Sequence, residues 1–170
     1  MTVYAASLIV AETGALLASS GPRSDGGTIE VNTVGDLSVD GRVAASGGLG
    51  HFTQTGGEVR FVVGGDLTTS STTVIDGYGQ EQGGSLSAEA LGTVILAGTV
   101  TLNGGAGAGQ KVGGTATVVS AGDLVVSGTL DVSAQENWSW QNGARTPTGA
   151  TVDLRGQNVT ISGTVLANGG

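Results

Sequence analysis

The chain has 170 residues, 33 of them glycine, with 4% aromatic residues and no cysteine. Its formal charge is −8, with six Lys and Arg in all. That excludes a disulfide framework or Cys-based metal or redox chemistry, and it leaves no basic stripe to neutralise phosphates, so nucleic acid is not an expected partner.

Sparse aromatics and abundant glycine make a poor globular core. The glycines are periodic, however, which separates them from a flexible linker. No apolar run approaches the eighteen residues of a membrane span, so no membrane insertion is expected. The start, Met1 to Ser20, has the apolar character of a signal peptide but no basic n-region, and Glu12 interrupts it.

In chain order, that first stretch reads as a coil with its first strand reduced at most to Thr2-Val3-Tyr4. Ser7-Leu8-Ile9-Val10 aligns with Asp36-Leu37-Ser38-Val39, and Gly14 to Ala18 with Gly41 to Ala45. A Gly pair, or a near-pair, then opens each further unit: Gly26-Gly27, Gly56-Gly57, Gly83-Gly84, Gly113-Gly114 and Gly149-Ala150, spaced 30, 27, 30 and 36 residues. A second signpost follows in each: Gly35-Asp36-Leu37, Gly65-Asp66-Leu67, Gly92-Thr93-Val94, Gly122-Asp123-Leu124 and Gln157-Asn158-Val159. A turn residue then opens a third segment at Gly41, Ser71, Gly98, Gly128 and Gly163. A fixed period of this size marks a solenoid.

Within each unit apolar residues alternate with the strand period. The expected inward residues run Ile29, Val31, Leu37, Val39, Val43 and Ala45 in the coil 26–55. They are Val59, Phe61, Leu67, Thr69, Thr73 and Ile75 in 56–82, and Leu86, Ala88, Val94, Leu96, Val100 and Leu102 in 83–112. In 113–148 they are Ala116, Val118, Leu124, Val126, Leu130 and Val132, and in 149–170 Val152, Leu154, Val159, Ile161, Val165 and Ala167. Residues 1–25 form an incomplete first coil. No segment has helical spacing.

Three strands and three turns per unit describe a parallel β-helix of one all-β segment. Strand-crossover chirality favours the right-handed form. Glycine at the corners is expected to supply backbone conformations that other residues reach only at a cost. An antiparallel sandwich would not keep three signposts in order through five units. Neither end carries an amphipathic helix or polar cap, so the chain reads as a piece of a longer solenoid or a subunit that stacks end to end on its own copies.

The stretches GGDLTTSSTTVIDG, LGTVILAGTVTLNGG and AGDLVVSGTLDVSA resemble the repeats of filamentous-haemagglutinin-like exoproteins of Gram-negative bacteria, from Ser7 to Gly170. The family's N-terminal secretion domain is not recognisable. The resemblance implies a secreted, cell-surface or extracellular rod used in adhesion or filament building, without catalytic residues or cofactor. Its partners would be neighbouring coils or copies, and host or cell-surface glycans or other filament proteins.

Asp36, Asp66 and Asp123, with Asn158 and Thr93 at equivalent positions, form a column that reads as turn caps. A Ca²⁺ between stacked carboxylates is the alternative; Thr93 interrupts the charge, and the Ca²⁺-binding nonapeptide is absent. Thr72, Thr99, Thr129 and Thr164, with Arg42, form an expected outer column of strand-forming residues, and ice binding is the sharper alternative. Glu30 and Arg60 are expected to pair across outer strands.

Long inserts follow the third strand, carrying His51, Phe52, Tyr78, Trp138 and Trp140 as candidate ligand or lateral contacts. The competing reading folds the tryptophans back over the flank. A carbohydrate-binding or carbohydrate-active β-helix is thus an alternative function. The outward acids Glu30, Asp76, Asp131 and Asp153 are too dispersed for a catalytic pair, and His51 has no nucleophile beside it, so no enzyme is expected.

Overall fold

A computed structural model describes residues 1–48, 54–105, 111–134 and 148–169. Among these there is no helix, and eighteen strands form three parallel sheets of six. The first sheet holds β1 (Thr2–Ala5), β4 (Thr28–Thr33), β7 (Glu58–Val63), β10 (Ser85–Ala90), β13 (Thr115–Ser120) and β16 (Thr151–Arg155). The second holds β2 (Leu8–Val10), β5 (Leu37–Val39), β8 (Leu67–Thr69), β11 (Val94–Leu96), β14 (Leu124–Val126) and β17 (Val159–Ile161). The third holds β3 (Ala15–Leu17), β6 (Arg42–Ala44), β9 (Val74–Asp76), β12 (Thr99–Thr101), β15 (Thr129–Asp131) and β18 (Thr164–Leu166). Each successive trio is one level of a β-solenoid, six levels in all, stacked at about 4.8 Å.

The ladders place like on like. Leu8, Leu37, Leu67, Val94, Leu124 and Val159 are register partners from level to level. So are Ile29, Val59, Leu86, Ala116 and Val152. Alternation turns these columns inward, and nearly all inner positions of the middle levels are fully buried. Phe61 is the one aromatic among them. Val159 and Ile161 lie on the same interior columns but are 44% and 51% exposed, because theirs is the last level of the stack.

Two expectations need correction. The third strand of the third level starts at Val74, two residues later than the sequence pattern suggested. Its ladder partners are Arg42 below and Thr99 above, with Ile75 between Val43 and Val100. Thr72 therefore does not belong to the outer threonine column, and Thr73 is not the ladder partner of Val43. The extra residues widen the preceding turn, and hydroxyls close it. Ser70 Oγ lies 2.9 Å from Thr72 Oγ1, which donates to the Asp40 carbonyl at 3.1 Å. Thr73, 1% exposed, donates its hydroxyl to the Val39 carbonyl and accepts the Ser70 N–H at 3.0 Å.

The second correction concerns glycine. Among the described residues only Gly149 and Arg23 have left-handed φ, 81° and 72°. The corner glycines are required by space instead. A Cβ on Gly56 would lie 1.9 Å from the Gly77 carbonyl oxygen, and one on Gly83 1.9 Å from that of Leu102. The returning chain there lies directly on the backbone that leaves the third sheet, and no side chain fits between.

Candidate interaction surface

The corner after the third sheet gives the solenoid its irregular side. The chain leaves the corner through Gly47, Gly79, Gly104 and Ala134, which follow one another by hydrogen bonds or bridges between levels. It returns through Thr55, Gln82, Val112 and Thr148, which bridge in parallel. The two legs touch within a level: a Cβ on Gly79 would meet the Gln82 carbonyl oxygen at 1.9 Å, and one on Gly104 that of Val112 at 2.0 Å. This neck is common to excursions of very different length. The third level closes it with Gln80 and Glu81 alone, whereas residues 135–147 intervene in the fifth. The neck glycines were visible in sequence only as part of Gly-rich loops, since nothing local marks their contact.

Of the candidate contact residues, His51, Phe52, Trp138 and Trp140 lie outside the described residues. Tyr78 is described: it is half-buried at the foot of the third excursion, with its ring edge against Gly105. Beside it runs a polar root that sequence reading missed. Gln54, Glu81 and Lys111 succeed one another across levels through the bonds Glu81 N to Gln54 O and Val112 N to Glu81 O. Lys111 is only 2% exposed and donates from Nζ to the Gln80 carbonyl at 3.2 Å. Burial pushes its ammonium below the ordinary lysine value, against the pull of Glu81. The side-chain oxygens of Gln54, Gln80 and Asn103 are buried without a hydrogen-bond partner. The described stems that flank the excursions are thus polar and closely packed.

A ladder of acids stiffens the outer face of the third sheet. Asp76 and Asp131 share a column, with Thr101 between them. Each carboxylate accepts the backbone N–H two residues on, from Tyr78 and from Ser133, both at 3.0 Å. Asp76 also receives Arg42 at 3.2 Å, and Asp131 the Asn103 amide at 2.9 Å. Burial pushes the Asp131 carboxyl up, but the bonds from Asn103 and Ser133 outweigh it and hold it below the ordinary aspartate value. A depressed folded value adds stability above the ordinary one, and that stability is lost as pH falls through the folded value. Asp131→Asn should therefore lower stability at neutral pH and flatten the acid limb of the stability–pH curve below about pH 4, so that variant and parent converge in acid, measured by thermal unfolding. An unchanged acid limb would remove Asp131 from this role.

At the corner between the first and second sheets, Asp36 Oδ1 accepts the Asp66 N–H at 2.9 Å, and Asp66 Oδ1 accepts the Thr93 N–H at 2.7 Å. Asp123 Oδ1 receives the Asn158 side-chain amide at 2.7 Å. The bonds join levels rather than closing a single turn. They explain the Gly-Asp pairing as well: a Cβ on Gly65 or Gly92 would sit 2.1 Å from the carboxylate of the level before. Among the described residues, no three His, Asp or Glu side chains converge as a metal ion would require. Glu30 and Arg60 are ladder partners, 3.5 Å apart and exposed, a contact worth little.

Comparisons of the chain with protein-family models, curated proteins and solved structures found no match.

Proposed function

We propose that this chain is a structural and adhesive section of an extracellular bacterial β-helix rod, of the filamentous-haemagglutinin-like kind that its repeats resemble. The observation that carries the reading is the division of labour between sides. Three ladders run unbroken through six levels, while the excursions of variable length leave through one shared neck. Such a scaffold tolerates change in its excursions without change in its core. The rod holds them at a fixed spacing, and they contact cell-surface glycans or other filament proteins through His51, Phe52, Tyr78, Trp138 and Trp140.

The third level supplies the test. Its neck closes over Gln80-Glu81, so residues 135–147 can be replaced by Gln-Glu on the same stems, Ala134 and Thr148. The shortened protein should keep its β-sheet circular dichroism and melt within a few degrees of the parent. Binding of the parent to glycan arrays and to bacterial or host cell surfaces should fall several-fold. Undiminished binding, or a parent that binds none of these surfaces, would overturn the reading.

A further inference from the structure

The corner between the first and second sheets also carries an apolar ridge of alternating size. Val34, Gly64, Leu91 and Ala121 succeed one another at the second to fifth levels, tied by Gly64 N to Thr33 O, Leu91 N to Val63 O and Ala121 N to Ala90 O. Val34 is 82% exposed and Leu91 75% exposed, so both stand out as knobs. Gly64 and Ala121 leave notches between them. The Gly64 notch is fixed by the backbone, since a Cβ there would lie 2.0 Å from the Val34 carbonyl oxygen. A groove of about 370 Å³ lies alongside, lined in part by Val62, Gly64, Leu91, Val119 and Ala121. The adjoining outward column of the first sheet reads Tyr4, Asn32, Val62, Glu89, Val119 and Arg155 from first level to sixth.

We propose that this ridge is a lateral contact between two copies of the chain, packed antiparallel. A two-fold axis between the third and fourth levels sets first level against sixth, second against fifth and third against fourth. Val34 then meets Ala121 of the second copy, and Leu91 meets Gly64 of the second copy. Symmetry repeats each contact, as a self-complementary surface requires. The same operation sets Tyr4, 78% exposed, opposite Arg155 of the second copy, a guanidinium against an aromatic face. Because both columns repeat at about 4.8 Å, every pair comes into register together. A parallel in-register pairing through the ridge would oppose knob to knob. The operation also sets Glu89 opposite Val62 of the second copy, so the two Glu89 carboxylates flank the axis. The strip spans only five level spacings, about 24 Å, so the association is weak and closed. With −8 on each copy it should tighten as salt is added.

Sedimentation of the 170-residue chain at rising concentration should show a monomer–dimer equilibrium. Leu91→Arg should weaken it about tenfold or more, and Val34→Arg similarly. Both sites are exposed, and unchanged circular dichroism would confirm that the variants fold. Because the chain has no cysteine, register can be read by oxidation. A mixture of Val34→Cys and Ala121→Cys proteins should give mainly the mixed disulfide, whereas Val34→Cys alone should pair poorly, because its two copies lie three level spacings apart. A strictly monomeric protein, predominant self-coupling of Val34→Cys, or an open series of oligomers insensitive to Leu91→Arg would each overturn the proposal. The last of these outcomes would point to end stacking instead.

Discussion

Leu124→Asp should cost several kcal/mol and lower the melting temperature by roughly 10 °C or more, while Thr129→Asp should stay within about 0.5 kcal/mol of the parent. Leu124 has no exposed surface and stands between Val94 and Val159 in an interior column. A carboxylate there is cut off from water and has no cation to pair with in a column of aliphatic side chains. The neighbours cannot move aside, since each is fixed by the ladder above and below it. Total stability of a domain is about 5–15 kcal/mol, so one such charge removes a large share. Thr129 lies five residues on, in the same level, but points outward between Thr99 and Thr164. Thermal and urea unfolding of the two variants checks the alternation directly. Comparable losses at both sites would mean that the inner and outer faces have been exchanged.

Gly83→Ala should be costly although it adds a single methyl group, and Gly21→Ala should be silent. The Gly83 site has no room. Its Cβ would lie 1.9 Å from the Leu102 carbonyl oxygen and 2.6 Å from the Gly114 nitrogen, both backbone atoms, in residues whose N–H groups are bonded to the Asp131 and Val132 carbonyls. Relief requires the corner to open, which pulls apart the neck and the start of the first sheet at that level. A loss of about 3 kcal/mol is expected, at the upper end for overpacking. At Gly21 no atom lies within 4 Å of the added carbon. If alanine at position 83 were tolerated like alanine at position 21, close approach would not be the reason for the glycine pairs, and the period of the chain would need another explanation.

Much of this architecture was legible beforehand, for a physical reason. A solenoid level contacts only its neighbours, so the same environment recurs at the same place in each repeat, and the sequence carries it as a column. Leu37, Leu67, Val94, Leu124 and Val159 could be aligned without coordinates, as could Leu8 with Leu37 and Leu16 with Val43. The Asp36–Asp66 column was equally plain. Its chemistry was misjudged in one respect, because a local turn cap and a bond to the next level use the same residue type.

What escaped was anything that alternation leaves degenerate or that depends on distant backbone. A shift of two residues keeps every side chain on its own face, so the widened turn at Ser70 to Thr73 was invisible to the in–out pattern. Only the ladder from Arg42 through Val74 to Thr99 fixes the strand start. The alternating knobs and notches of Val34, Gly64, Leu91 and Ala121 look like ordinary turn flanks in sequence, and become a ridge only when the levels stack. The sequence by itself determined the three-strand repeat, the inward set and the corners, because burial and turn chemistry act residue by residue. The tertiary structure alone decided which glycines must be glycine, where the excursions share a neck and which outer residues form one surface, because those follow from contacts between backbones about thirty residues apart.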